Sequence, residues 1–130
     1  MFSETEEERN WRLYAGDMIE FAEKVLAYTS EIDQAAFVAD SLIYDATLRN
    51  MELIGEAATH IPNEIRNKYP EIQWRSIVAT RNRLAHGYLG LDDDVIWDII
   101  QTDITELLPA LRNLLSDVEN ANQDGQRDSR

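Results

Sequence analysis

Asp33-Gln-Ala-Ala-Phe37-Val-Ala-Asp40-Ser-Leu-Ile-Tyr44-Asp-Ala-Thr-Leu48-Arg-Asn-Met51-Glu-Leu-Ile-Gly55-Glu-Ala-Ala58 is the stretch that decides the architecture. Phe37, Ser41, Tyr44, Leu48, Met51, Gly55 and Ala58 recur at alternating steps of four and three, which places them on one face of a helix. Ile43, Ala46, Ile54 and Ala57 widen that face beyond what a surface helix needs, so the segment is predicted at the centre of a bundle. Asp33 offers an N-cap, and Pro62 cannot continue the hydrogen-bond ladder. The small residues Gly55, Ala57 and Ala58 leave room for a second backbone to approach closely.

Helical spacing continues on both sides. Before this segment, Trp11, Tyr14, Met18, Phe21, Val25 and Tyr28 form another stripe, with Glu4, Glu6, Glu7 and Glu8 where a helix N-terminus favours negative charge. Thr29 and Ser30 mark a break. After it, Ile61 to Pro70 reads as a connector with room for one short helical turn. A third long helix is predicted from about Ile72 to near Gly87, burying Trp74, Ile77, Val78 and Leu84. Asp92 to Asp94 look like cap and first-turn acids for a last helix. That helix would bury Val95, Ile96, Ile99, Ile100, Ile104, Leu107, Leu108, Leu111, Leu115 and Val118, with a kink at Pro109. From about Asn120 the chain is polar and aperiodic. The expectation is an all-α antiparallel up-and-down bundle of four to five helices over residues 1–119, with a disordered tail over 120–130.

Composition narrows the function. Twelve basic residues against 25 acidic ones give a net charge of −13, which argues against general coating of nucleic acid and against an anionic membrane surface. Arg66, Lys68, Arg75, Arg81 and Arg83 nevertheless fall in one window with a single acid, Glu71. That window is +4 and the rest of the chain −17. A phosphate ligand is repelled by most of the surface and drawn to this segment. There is no cysteine, so disulfides and thiolate metal sites are excluded, in keeping with a reducing cytoplasm. The acidic N-terminus does not read as a signal peptide, and no apolar run approaches the roughly 20 residues that span a bilayer. A cytoplasmic protein is expected.

Within the basic window, Arg81-Asn-Arg-Leu-Ala-His86-Gly-Tyr88 concentrates two arginines, an amide, an imidazole and a phenol. Histidine titrates near neutrality and suits proton transfer, and the arginine fork donates two parallel hydrogen bonds to a phosphate. Metal-free cleavage of an RNA phosphodiester needs that combination: a base for the 2′-oxygen, positive charge for the phosphorane and an acid for the leaving oxygen. Asn82 and His86, four apart, share a helix face. Arg81 and His86 lie about 140° apart on an ideal helix. They converge only if the long arginine curls round, if the helix distorts near its end, or if a second copy of the helix across a two-fold axis supplies the missing partner, and the last option makes a symmetric dimer attractive.

Arg81-x4-His86-x-Tyr88, with Asn82 directly after the arginine, matches the R-x4-6-H signature of HEPN domains, and the H-x-Y form resembles the HepT toxins of HepT–MntA pairs. The resemblance extends to Ile54-Gly55-Glu56-Ala57, Trp74-Arg75-x-Ile77-Val78, Gly87-Tyr88 and the helix containing Trp97, and covers roughly Asp33 to Leu111. It implies a dimeric, metal-independent toxin endoribonuclease of a type VII toxin–antitoxin system, acting on tRNA or mRNA without a cofactor. By position, His86 would be the acid/base catalyst, Arg81 the phosphate ligand and Asn82 a positioning residue. Tyr88 would be the tyrosine that a partner nucleotidyltransferase of MntA type modifies with AMP.

Plainer readings stand beside these. His86 could simply cap a helix C-terminus, and Arg75 and Arg83 read as exposed or interface residues sooner than as RNA contacts. Glu56 could form a structural ion pair with an arginine of the octet as readily as support catalysis. His60, ahead of Pro62, reads as structural, and Asp92 to Asp94 as caps rather than metal ligands. A different function class also remains open, a non-catalytic helical bundle that docks a minimal nucleotidyltransferase and serves as its substrate or scaffold.

Overall fold

The computed structural model describes residues 6–86 and 91–128, and every regular element among them is helical. In chain order these are α1 (Glu6–Thr29), α2 (Gln34–Ala39), α3 (Ser41–Ala58), α4 (Asn63–Lys68), α5 (Trp74–Ala85) and α6 (Asp93–Asp98). A π-helical segment (Ile99–Ile104) then runs into α7 (Thr105–Asp128). The protein is an all-α bundle in which α3 packs between α1 and α5, and α1 also packs on α7.

The predicted central helix is two helices. Asp40 interrupts it with extended backbone, φ −99° and ψ 98°, and its carboxylate accepts from the N–H groups of Leu42 and Ile43, both at 3.1 Å. A short acid that caps a new N-terminus competes with the ladder that would otherwise run through it. Asp33 caps α2 by accepting from Ala36 N at 2.9 Å. The break lets Phe37 fold inward, where its ring lies 5.1 Å from Tyr44 and 5.4 Å from Trp97, tying α2 to α3 and α6. Tyr44 then donates to Asp93 at 2.8 Å and Gln34 to Asp94 at 2.5 Å. Burial and that carboxylate push the Tyr44 phenol up to about 12.

The buried stripe of α1 is Trp11, Ala15, Met18, Ala22, Val25 and Thr29, rotated slightly from the expected one; Tyr28 is exposed. Alanines at the contact allow the α1 and α3 backbones close together, while Tyr14 and Phe21 flank the seam half-buried. Thr29 donates to Val25 O at 2.8 Å and so satisfies its hydroxyl inside the core. On α3, Thr47, Asn50, Met51, Ile54, Gly55, Ala57 and Ala58 are buried, whereas Ser41 is exposed.

The connector after α3 is held by Arg66. Its Nε donates to Ile61 O at 2.9 Å and its NH2 to Ala58 O at 2.6 Å, so the arginine ties a carbonyl of the connector to the last carbonyl of α3, which also accepts from Ile61 N–H at 3.2 Å. The same guanidinium lies 5.8 Å from the centre of the Trp74 ring. One member of the basic window is therefore structural.

The last expected helix also differs. Asp92 caps α6 through Val95 N at 2.8 Å, but the ladder widens to π geometry over Ile99–Ile104 before α7 begins. The irregularity lies upstream of Pro109, which sits inside α7. Thr105 donates to Ile100 O at 3.2 Å, a span of five residues that the wider turn makes reachable. Ile96, Ile100, Ile104, Leu107, Leu108, Leu111 and Leu114 are buried, and Val95 is exposed. The helical backbone of α7 runs to Asp128.

Candidate active site

Gly55 sets the position of the site. A Cβ placed on it would overlap the Cβ of Arg81 and stand 2.9 Å from Arg81 Cγ and 3.0 Å from Ile77 O. Only a residue without a side chain lets α5 lie this close to α3. The contact draws the stem of Arg81 across α3, and its NH2 donates to Glu56 Oε2 at 2.5 Å. NH1 donates to Asn82 Oδ1 at 2.9 Å. The Nε is enclosed and makes no hydrogen bond. Arg81 is 30% exposed and Glu56 49%, so this pair adds little to stability and acts mainly to fix direction. Neighbouring residues of one helix thus share a hydrogen-bonded group with an acid 25 positions earlier.

Asn82 and His86 are both exposed on α5, and the His86 backbone N–H closes the last turn on Asn82 O at 3.2 Å. His86 is the C-cap, with φ −92° and ψ −2°. Arg75 and Arg83 are exposed as well. At about 100° per residue, Arg75, Asn82 and His86 fall within some 40° of one another, and Arg83 lies off to one side. The exposed face therefore carries a cation, an amide and an imidazole in line, with Arg81 reaching round from the α3 side. Tyr88 and Gly87 lie outside the described residues. The burial expected of α5 is partial: Trp74 is buried, but Ile77, Val78 and Leu84 are only half covered.

The other candidates have structural positions. His60 stacks on Tyr14 with ring centres 4.2 Å apart and planes 11° from parallel. Asp92 caps α6, while Asp93 and Asp94 accept from Tyr44 and Gln34. Sequence spacing had placed Asn82 and His86 together but left Glu56 open between structural and catalytic roles. The nearby Gly55 was the signal for its contact, since a glycine inside a helix marks a close approach.

The family model for HepT-like ribonucleases (described as "Ribonuclease HepT-like") matches residues 18–114. The chain belongs to the HepT-like ribonuclease family. A Thermococcus cleftensis protein named "Probable ribonuclease HepT" is 36% identical over 99 residues, covering 76% of this chain and 90% of that one. A Methanocaldococcus jannaschii protein, named as an RNase by inference, is 34% identical over 99 residues, 76% of this chain and 91% of its own. One from Caldanaerobacter subterraneus subsp. tengcongensis, named in the same way, is 31% identical over 104 residues, 80% and 93% respectively. No solved structure matches the chain. In this HepT-like chain the matched region takes in α3, α5 and the whole Arg81–His86 segment.

Proposed function

We propose that the protein is the toxin ribonuclease of a toxin–antitoxin pair, cleaving RNA without a metal through Arg81 and His86. The observation that supports this best is the fixed Arg81: Glu56 and Asn82 hold its guanidinium beside an exposed face that carries Asn82 and His86. In the reaction, the 2′-oxygen loses its proton to one imidazole and attacks phosphorus, and the bond to the 5′-oxygen breaks. A second imidazole returns a proton to that leaving oxygen. The products are a 2′,3′-cyclic phosphate and a 5′-hydroxyl. Arg81 stabilises the charge that builds on the phosphorane oxygens, and Asn82 positions the arginine or the phosphate. Arg75 and Arg83 would contact the RNA strand to either side.

Two imidazoles require two chains, because α5 carries only one. The exposed face of α5 that carries Arg75, Asn82 and His86 is the surface on which a two-fold axis would complete the site, giving a homodimer. The antitoxin would be a minimal nucleotidyltransferase of MntA type that attaches AMP to Tyr88. Phosphates placed two residues beyond His86 would occupy the anion site in place of RNA. The substrate class is tRNA or mRNA.

The test is RNA cleavage by purified protein in EDTA, with product ends analysed. Cyclic phosphate ends that vanish in both Arg81→Ala and His86→Ala, with helicity unchanged, support the proposal. Cleavage that persists in either variant removes it. A second reading, a non-catalytic partner and substrate of the nucleotidyltransferase, draws on the engagement of Arg81 by Glu56, which leaves less of the guanidinium for phosphate. Intact RNA together with tight binding of the transferase would select that reading. Intact-mass spectrometry of the co-expressed pair tests the modification, and an active pair without an added AMP mass on Tyr88 would rule it out.

A further inference from the structure

The bundle is not closed all the way round. Between α5 on one side and the π segment with α7 on the other there is an open groove of about 200 Å³. Its floor is apolar, built from Met51, Ile54, Ile77, Ile104, Leu107 and Ala110. Its edges carry three carboxylates, Glu71, Asp103 and Glu106, and among the described residues no Lys, Arg or His lines it. Partial burial, then the neighbouring Asp98 and Glu106, hold the Asp103 carboxyl above its ordinary range. Apolar surface and unbalanced negative charge meet in one trough.

We propose that this groove is a docking site for a basic amphipathic helix of a protein partner, its apolar seam on the floor and its lysines or arginines against Glu71, Asp103 and Glu106. Charge complementarity selects the sign of the partner, since three acids without a base favour a cationic flank and repel an acidic one. The walls select its secondary structure. Both are helices whose backbone groups are already paired, so no sheet edge is offered to an extended strand, and a segment lying on apolar side chains must satisfy its own backbone. A helix does so, with anchors at steps of three and four.

The groove is separate from the face that carries Asn82 and His86. Its α5 residues Ser76, Ile77 and Thr80, with the N-cap Gln73, centre roughly 150° round the helix from Arg75, Asn82 and His86 at 100° per residue. The inference therefore stands independently of the ribonuclease reading, and a helix seated in the groove leaves that face uncovered.

The probe is a synthetic peptide of about 18 residues, with leucines at helical i, i+3, i+4, i+7 spacing and flanking lysines; its counterpart has glutamates in place of the lysines. Fluorescence anisotropy with the full chain reads binding, and light scattering reads the oligomeric state in the same samples. The expected result is saturable binding of the lysine peptide at least about tenfold tighter than the glutamate peptide. It should weaken at least tenfold in Ala110→Trp, which fills the floor, and in the rim variant Asp103→Lys/Glu106→Lys. The rim positions are exposed, so that variant keeps the test sound if Ala110→Trp fails to fold. Reversal of two exposed acids that do not line the groove, Glu20→Lys/Glu31→Lys, should leave binding unchanged. The proposal is overturned if the lysine peptide does not bind, if that control reversal weakens it as much as the rim reversal, or if the groove variants dissociate a dimer that excludes the peptide, which would make the groove an interface between copies.

Discussion

Replacing Gly55 by alanine separates two effects of opposite sign. In an isolated helix the change would stabilise by about 1 kcal/mol, because glycine has the greater backbone freedom to lose. Here the added methyl would overlap the Cβ of Arg81 and stand 2.9 Å from its Cγ and 3.0 Å from Ile77 O, where ordinary contacts begin at 3.4 Å. Two of those three neighbours are backbone or the first carbon of a side chain, so they cannot swing aside without moving α5. The helices must part by roughly 1 Å, and overpacking of this kind costs about 1–3 kcal/mol. The net expectation is destabilisation by about 0–2 kcal/mol. The consequence for cleavage is larger, since a displacement near 1 Å in a positioning group costs on the order of a hundredfold. Urea unfolding followed by circular dichroism gives the first quantity, and initial rates on a fluorogenic RNA give the second. A Gly55→Ala protein that is about 1 kcal/mol more stable and cleaves RNA at the parental rate would show that the close approach of α3 and α5 has no bearing on the site.

Glu56→Gln keeps a hydrogen-bond acceptor for Arg81 but removes the charge; we expect kcat to fall by roughly tenfold with KM little changed and helicity intact, and an unchanged kcat would deny Glu56 a positioning role. Arg66→Ala removes a charged donor from Ile61 O and from Ala58 O, the second of which keeps the Ile61 N–H, and should cost about 1–3 kcal/mol in urea unfolding; a change within experimental error would refute the assignment of Arg66 to the connector. The Tyr44 phenol, raised to about 12, holds its proton more tightly in the folded chain than in the unfolded one. Its stabilising contribution is therefore complete below pH 10 and lost as pH rises toward 12. Tyr44→Phe should flatten the fall in melting temperature over that interval, and identical alkaline profiles for the two proteins would count against it.

Much of the bundle could be read from spacing because its seams are long. Met51, Gly55 and Ala58 are buried where the four-three pattern put them, with Ile54 and Ala57 beside them, and Pro62 and Asp92 punctuate the chain as their chemistry requires. What spacing missed was local competition. An aspartate within an apolar pattern reads as a solvent-facing residue, yet Asp40 ends one helix and caps the next. On α1 the eye follows large side chains, whereas contact favours the alanines beside them, Ala15 and Ala22. The octet stood out through residue type alone, and the family match spans it. The tie to Glu56 depends on how two helices meet, and the groove on how two fail to meet. Neither is a property of one segment.

The π segment at Ile99–Ile104 has a consequence for chain length. A wide turn of this kind is an α-helix that has accepted one residue more than its register requires, with the flanking helices left in their original orientation. Removing either Gln101 or Thr102, both exposed, would let the segment relax to ordinary winding while Ile96 and Leu111 keep facing inward. The same deletion within α3 would turn Gly55 away from α5 by about 100°. Tolerance of a lost residue should thus be high at one place in the bundle and absent at another, although both are helical.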